Sequence, residues 1–325
     1  MSDDDGLVCA YLHSQGGSWR EVGWEQLRAW KPGDGLLWVH LNRTAEQAKT
    51  WLRDESGLDP LVCENLLAEE TRPRALEIND NLLLNLRGVN LNPGADPDDM
   101  VSLRLWFEPE RIVTARQRRL MAIDDIRDRM AKGKGPKDSG DFLVEIAGRL
   151  VNRMSPVIEN LDETVDELED QVVAGAPQEV RTRLAGLRRQ AISLRRYLAP
   201  QREAMSCILG EPIDWLRERQ VAQLREISDR TMRYVEDLDA IRERAAVIQD
   251  EVANRVSESM NKNMYILAIV ATIMLPLGFL TGLLGINVDG LPGSQDAPWA
   301  FWVVTSLLGT LVFIQVIIMR RLKWF

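Results

Sequence analysis

The sequence predicts an α+β domain followed by long stalk helices and a C-terminal two-helix transmembrane hairpin. Three observations carry this reading: strand-like runs confined to the N-terminal part, a helix-only texture after them, and two charge-free apolar segments at the C-terminus. Residues 264–284 and 299–319 each lack Asp, Glu, Lys and Arg, and at 1.5 Å per residue each helix spans roughly 31 Å, enough to cross a bilayer core. The whole chain is 45% hydrophobic and 27% charged, ordinary for a soluble protein, so it is the crowding of apolar residues at one end that excludes a wholly soluble fold. Lys and Arg number 40 against 49 Asp and Glu, a net charge of -9, which speaks against nucleic acid as a partner.

In chain order, residues 7–13, 36–41, 82–91, 101–107 and 111–116 read as strands, and 44–55 and 60–69 as helices. Residues 92–99, with Pro93, Gly94 and Pro97, form a polar loop, and the Gly/Lys-rich 132–140 marks a domain edge. Beyond it the pattern predicts a helix over 141–173, a second over 178–209 and a third from Trp215. The implied division is an α/β domain at 1–140, a helical stalk at 141–263 and the hairpin at 264–325, with a connecting outer loop at 285–298. In the third helix Leu224, Ile227, Thr231, Tyr234, Leu238, Ile241, Ala245, Ile248 and Val252 recur at alternating steps of three and four. Such a seam packs against the preceding helices of the same chain, against another subunit, or both. With no Pro or Gly between Glu218 and Pro276, this helix runs unbroken into the first span.

Flanking charge orients the hairpin. Lys262 precedes the first span and Arg320, Arg321 and Lys323 follow the second, whereas 285–298 contains Asp289 and Asp296 but no Lys or Arg. Both termini are therefore expected in the cytoplasm. Tyr265, Trp299, Trp302 and Trp324 stand at the span ends, where amphipathic rings settle. The N-terminus has no apolar run behind a basic patch, so no secretory signal is expected.

Two helices cannot enclose a water-filled path, so such a hairpin is an anchor or one stave of an oligomeric pore. One face of the first span carries Asn261, Met264, Leu267, Ala271, Leu275, Gly278 and Gly282, and the row ends at Gly285. Small residues at this spacing serve close helix packing equally well. Pro276 removes one helical hydrogen bond near mid-span, freeing a carbonyl that neighbours or water must satisfy.

The span ends in Gly285-Ile286-Asn287, followed by Asp289-Gly290-Leu291-Pro292-Gly293. A Gly-x-Asn tripeptide after the first of two C-terminal spans resembles the CorA superfamily of divalent-cation transporters. The Leu-Pro-Gly turn, the Lys323-Trp324-Phe325 end, Glu70-Thr71-Arg72-Pro73-Arg74, Ala115-Arg116-Gln117-Arg118 and Arg195-Arg196-Tyr197-Leu198-Ala199-Pro200-Gln201-Arg202 are similar to its ZntB zinc-transporter branch. The resemblance implies a CorA-like funnel, a homopentamer of the bacterial inner membrane. It also implies zinc uptake, coupled to protons, through an axial pore. It places Gly285, Ile286 and Asn287 in a selectivity filter and lines the pore with Met264, Leu267, Ala271, Leu275 and Gly278. Physically, amide and carbonyl oxygens can hold a cation's first water shell without stripping it. Taken alone, Asn287 reads as a helix C-cap or turn residue. Asp289 and Asp296 would draw cations to the outer mouth, unless they are simply solvated.

Zinc itself comes from the resemblance alone. Only His13, His40 and three scattered cysteines, Cys9, Cys63 and Cys207, are available as soft ligands, and no dedicated metal site emerges. Cys9 and His13 share a strand face but stand roughly 13 Å apart, so they read as structural. No carboxylate or histidine lies within either span to relay protons. The run Asp162, Glu163, Asp166, Glu167, Glu169 and Asp170 reads as a solvated helix face, with ion sensing as the alternative. No nucleophile–base pair or phosphate loop points to an enzyme, and no cofactor is expected. The partners expected are further copies of the chain, the lipid bilayer and divalent cations. The competing readings are a magnesium, cobalt or nickel channel of the same superfamily and a membrane-anchored helical scaffold that transports nothing.

Overall fold

The computed structural model describes residues 5–14, 18–174, 177–210, 212–285 and 299–321. It divides into two compact units, Met1–Asp250 and Glu251–Phe325.

In the first unit the described strands are β1 (Leu7–His13), β2 (Trp19–Glu21), β3 (Leu36–Asn42), β4 (Arg74–Ile78), β5 (Asn81–Gly88), β6 (Val101–Phe107) and β7 (Arg111–Arg116). They form one sheet in the order β2-β1-β3-β7-β6-β5-β4. β3 and β7 pair in parallel, Trp38 against Ile112, and the other neighbours are antiparallel. Both faces are covered, which is why β3 and β5 read as near-continuous apolar runs rather than alternations. One face carries Trp38, Leu84, Leu105 and Phe107 against Phe142, Ile146 and Leu150, with Met205, Leu224 and Ile227 joining the same cluster. The other carries Val39, Leu83, Trp106 and Val113 against Leu27, Leu52, Val62 and Leu66.

The five strands expected from the sequence are present, with the third ending at Gly88. The two additional strands, β2 and β4, are the sheet edges. Their Arg20, Glu21, Arg74 and Glu77 follow the polar habit of edge strands and hide the signal. The helix over 44–55 is a short α2 (Glu46–Thr50) widening into a π-helical turn, Trp51–Glu55; α1 (Trp24–Ala29) precedes it and α3 (Pro60–Leu67) follows. Asp59 caps α3, its carboxylate accepting from Leu61 N at 2.8 Å, with Pro60 in the first turn.

The helix expected over 141–173 is in fact two, α5 (Ser139–Asn152) and α6 (Ser155–Ala174), after α4 (Met121–Ala131). Pro156 explains the break: it has no N–H to offer Asn152, and the new helix starts instead from Met154, whose carbonyl accepts from Val157 and Ile158. α7 (Pro177–Gly210) then leads into α8 (Glu218–Leu284), 67 residues and on the order of 100 Å long. The α8 seam is buried within the single chain at Leu224, Thr231, Leu238, Ile241 and Ala245. Polar ties reinforce it: Arg195 pairs with Asp239 at 2.6 Å, and Arg244 reaches Asp162 at 3.0 Å, Glu169 at 3.1 Å and also Asp166. Arg183 takes Glu167 at 3.2 Å. The acidic run on α6 is thus partly neutralised by arginines of α7 and α8 rather than wholly solvated.

Candidate functional site

The second unit contains the last part of α8 and α9 (Trp299–Arg321). Both helices are long and apolar enough to cross a membrane. On α8 the partly shielded residues Ile269, Ile273, Pro276 and Leu280 recur at steps of three and four, with Leu277 beside them, and on α9 so do the shielded residues Val304, Leu308, Leu311, Gln315 and Met319. These are the faces the two helices turn to each other.

At 3.6 residues per turn, Met264, Ala271, Leu275, Gly278 and Gly282 lie on the opposite side of α8 from Ile273, with Asn261 and Leu267 flanking them. Met264, Leu267 and Leu275 are 66%, 70% and 71% exposed. A Cβ added at Gly278 or Gly282 would meet no atom within 4 Å. Among the described residues, therefore, these glycines do not serve the packing of α8 on α9, and the stripe named from the sequence is an exposed face apart from Ala271, which is partly shielded. At its end Gly285 N donates to Thr281 O at 2.9 Å and to Gly282 O at 3.2 Å. Ile286, Asn287, Asp289 and Asp296 lie outside the described residues.

The carbonyl that Pro276 leaves free is that of Thr272, four residues back, and it has a partner. Gln315 of α9 donates to it through Nε2 at 3.3 Å. Sequence reasoning required such a partner without finding it; the signal available was an amide amid the uncharged residues of the second span. The hydroxyls of Thr272, Thr281, Thr305 and Thr310 instead turn back to carbonyls of their own helices, at 2.8–2.9 Å.

The described residues contain no group of three or more His, Cys, Asp or Glu side chains able to hold a metal ion. Cys9 and His40 are cross-strand partners in the core. Burial pushes the Cys9 thiol up to about 12. His40 is held well below the usual imidazole range by burial and then by Arg116 and Arg127. Its Nδ1 lies 2.7 Å from the Thr114 hydroxyl, which also accepts from Trp38 Nε1 at 2.9 Å. His13 stacks at a tilt on Trp19.

The three fragments that carried the resemblance also prove architectural. Arg87 donates to Thr71 O at 2.9 Å through its guanidinium and to Gln201 Oε1 at 2.7 Å through its backbone N–H, and lies 3.9 Å over the Tyr197 ring. Gln117 accepts from Arg43, which also reaches Glu69 O, and Arg104 holds Ala68 O at 2.7 Å. Burial, with Arg43 and Arg87 alongside, pushes the Arg104 guanidinium down to about 10. Arg118 and Arg119 pair within the chain, with Asp99 and Asp124. These arginines fasten the 67–72 segment and α7 to the sheet.

A family model described as a CorA-like Mg2+ transporter protein matches residues 33–321. The chain belongs to the CorA family. A relative named divalent cation transporter CmaX, from Pseudomonas aeruginosa, is 40% identical over 328 residues, covering 99% of this chain and 98% of that one. The structure of full-length CmaX superposes with a TM-score of 0.86 at 39% identity, covering 99% of each chain. A zinc transport protein ZntB from Pectobacterium carotovorum is 38% identical over 289 residues, 88% of this chain and 87% of the relative. As a CorA-family member the chain is a divalent-cation transporter of a membrane and not an enzyme, and α8 and α9 are its spanning helices.

Proposed function

We propose that this CorA-family protein takes up zinc into the cytoplasm through the axial pore of a homopentamer, with both termini on the cytoplasmic side of the inner membrane. In this reading residues 1–140 and 141–263 form the cytoplasmic domain and stalk, and 264–325 the hairpin. The uncovered face of α8 lines the path, from Asn261 and Met264 through Leu267, Ala271, Leu275 and Gly278 to Gly282. Gly285, Ile286 and Asn287 form the filter, and Asp289 and Asp296 raise the local cation concentration outside it. The observation that carries this is the orientation of the stripe: it is free of charge, tapers to glycine and faces away from the one helix that could have needed it for packing.

A path of this composition handles its ion hydrated. It offers amide and carbonyl oxygen at the mouth and apolar walls below, so it discriminates among divalent cations by charge and hydrated size rather than by ligand softness. The zinc assignment follows the ZntB relatives. Similarity to CmaX, named only for divalent cations, favours a second reading in which Mg2+, Co2+ and Ni2+ also pass. With no carboxylate or histidine in either span, any proton coupling operates through groups at the pore ends.

The test is zinc flux into liposomes containing the purified protein, with and without an inward proton gradient and with Mg2+ as competitor. Asn287→Ala is expected to abolish the flux or change the ion order. Full flux with unchanged selectivity removes the filter assignment, and flux indifferent to the gradient removes the coupling.

A further inference from the structure

We propose that Gln315 is a positioning residue for the transport path: from α9 it supplies the hydrogen bond that Pro276 cannot, and so holds α8 in its conducting geometry. The inference rests on the reading that the far face of α8 lines the path.

The argument starts from the backbone. In an α-helix the carbonyl of residue 272 bonds the N–H of residue 276, and Pro276 has none. In hydrocarbon an unpaired carbonyl is costly, and water is not at hand on a face turned to another helix. Gln315 Nε2 stands 3.3 Å from that carbonyl. Among the described residues this is a side-chain hydrogen bond that joins α8 to α9, whereas the hydroxyls of Thr272, Thr281, Thr305 and Thr310 are spent on their own helices. Gln315 Oε1 is buried and has no hydrogen-bond partner among the described residues, so the side chain's work is done by its N–H group. Pro276 sits on the α9 side while Leu275 and Gly278 sit on the far side. A tie at Thr272 therefore fixes the segment of α8 whose opposite face carries the proposed path.

The chemistry makes the two positions interdependent. Pro276→Ala restores a backbone N–H for Thr272 O, after which the Gln315 amide is no longer needed there. The experiment is a double-mutant cycle on zinc flux in liposomes, with Gln315→Leu, Pro276→Ala and the pair. Gln315→Leu is expected to lower the maximal rate roughly threefold, the Boltzmann factor of an average interhelical hydrogen bond in a membrane, at an unchanged half-saturating zinc concentration. In the Pro276→Ala background the same substitution is expected to have no effect. Equal effects in both backgrounds, or wild-type flux for Gln315→Leu, overturn the proposal. If Gln315→Leu does not assemble, Gln315→Met, close in length and without any donor, gives the same reading. Asn287→Ala run in parallel separates the two levels: unchanged flux there sinks the path itself, whereas lost flux there together with additive Gln315 and Pro276 effects sinks only the tie.

Discussion

Gly278 separates the two roles a glycine can have on a membrane helix. Among the described residues, no atom beyond the local helix backbone lies within 4 Å of a Cβ built at Gly278 or Gly282, so a methyl group there displaces no atom of α9. Gly278→Ala is expected to leave the hairpin as stable or to raise its stability by up to about 1 kcal/mol, the difference in helix propensity. Gly278→Leu also places its Cβ in open space. In a ring of identical subunits, however, each substitution is repeated at one height around the axis, and apolar side chains at a constriction expel water. Zinc influx, followed by a dye trapped in liposomes, is then expected to fall in Gly278→Ala and by at least on the order of tenfold in Gly278→Leu. The thermal unfolding midpoint of the same preparations should not fall. Wild-type flux in Gly278→Leu refutes the placement of this face on the path. A flux loss that simply tracks loss of folded protein refutes the inference that the glycines are not needed for packing.

Phe142→Ala removes a fully buried ring that lies 4.9 Å from Trp38 and 6.1 Å from Phe107; it is expected to cost about 3–5 kcal/mol, read as a lower unfolding midpoint of the sheet domain. Arg244→Ala should cost no more than about 1 kcal/mol, because its side chain is 38% exposed and such pairs are screened, and the loss should vanish in 1 M salt. His40 sets a pH dependence. Its folded value is depressed, so below about 6.5 the unfolded imidazole binds a proton that the folded one refuses. Stability is then lost as pH falls, by at most about 1.4 kcal/mol per pH unit. His40→Asn should flatten the stability curve below pH 6.5 relative to wild type and leave the difference between them constant above it; parallel curves across the whole range contradict this.

What could be read in the sequence follows from how each element is stabilised. β3 and β5 are buried on both faces, so their apolar content announces them, whereas β2 and β4 exist because a sheet edge needs a partner, a fact about tertiary structure. The break at Met154 was legible in principle, since Pro156 cannot continue the ladder, but the apolar periodicity runs through it from Ile146 to Ile158 and masks it. The α8 seam was visible as a period and silent about its partner; burial against the chain's own helices answers that. At the site, the stripe from Met264 to Gly282 needed only helical geometry, and Pro276 showed that a carbonyl is freed. That Gln315 meets it depends on the register of two helices 43 residues apart, which no local pattern contains. Likewise the 70–74, 115–118 and 195–202 fragments, which carried the resemblance, turn out to serve packing: Arg74 reaches the Asn65 amide, Arg118 pairs with Asp99, Arg195 pairs with Asp239, and Thr71, Tyr197 and Gln201 hold Arg87 of the sheet.

The most direct test is thiol accessibility along α8. Cysteines are placed one at a time at Met264, Leu267, Ala271, Leu275 and Gly278, and at Ile269, Ile273, Leu277 and Leu280, in a Cys207→Ser background, since Cys9 and Cys63 are buried and Cys207 is exposed. A charged, membrane-impermeant thiol reagent should label the first set in reconstituted protein, zinc should slow that labelling, and the second set should stay unreactive. Labelling confined to the second set, or absent from both, would contradict a water-filled path on the face of α8 away from α9.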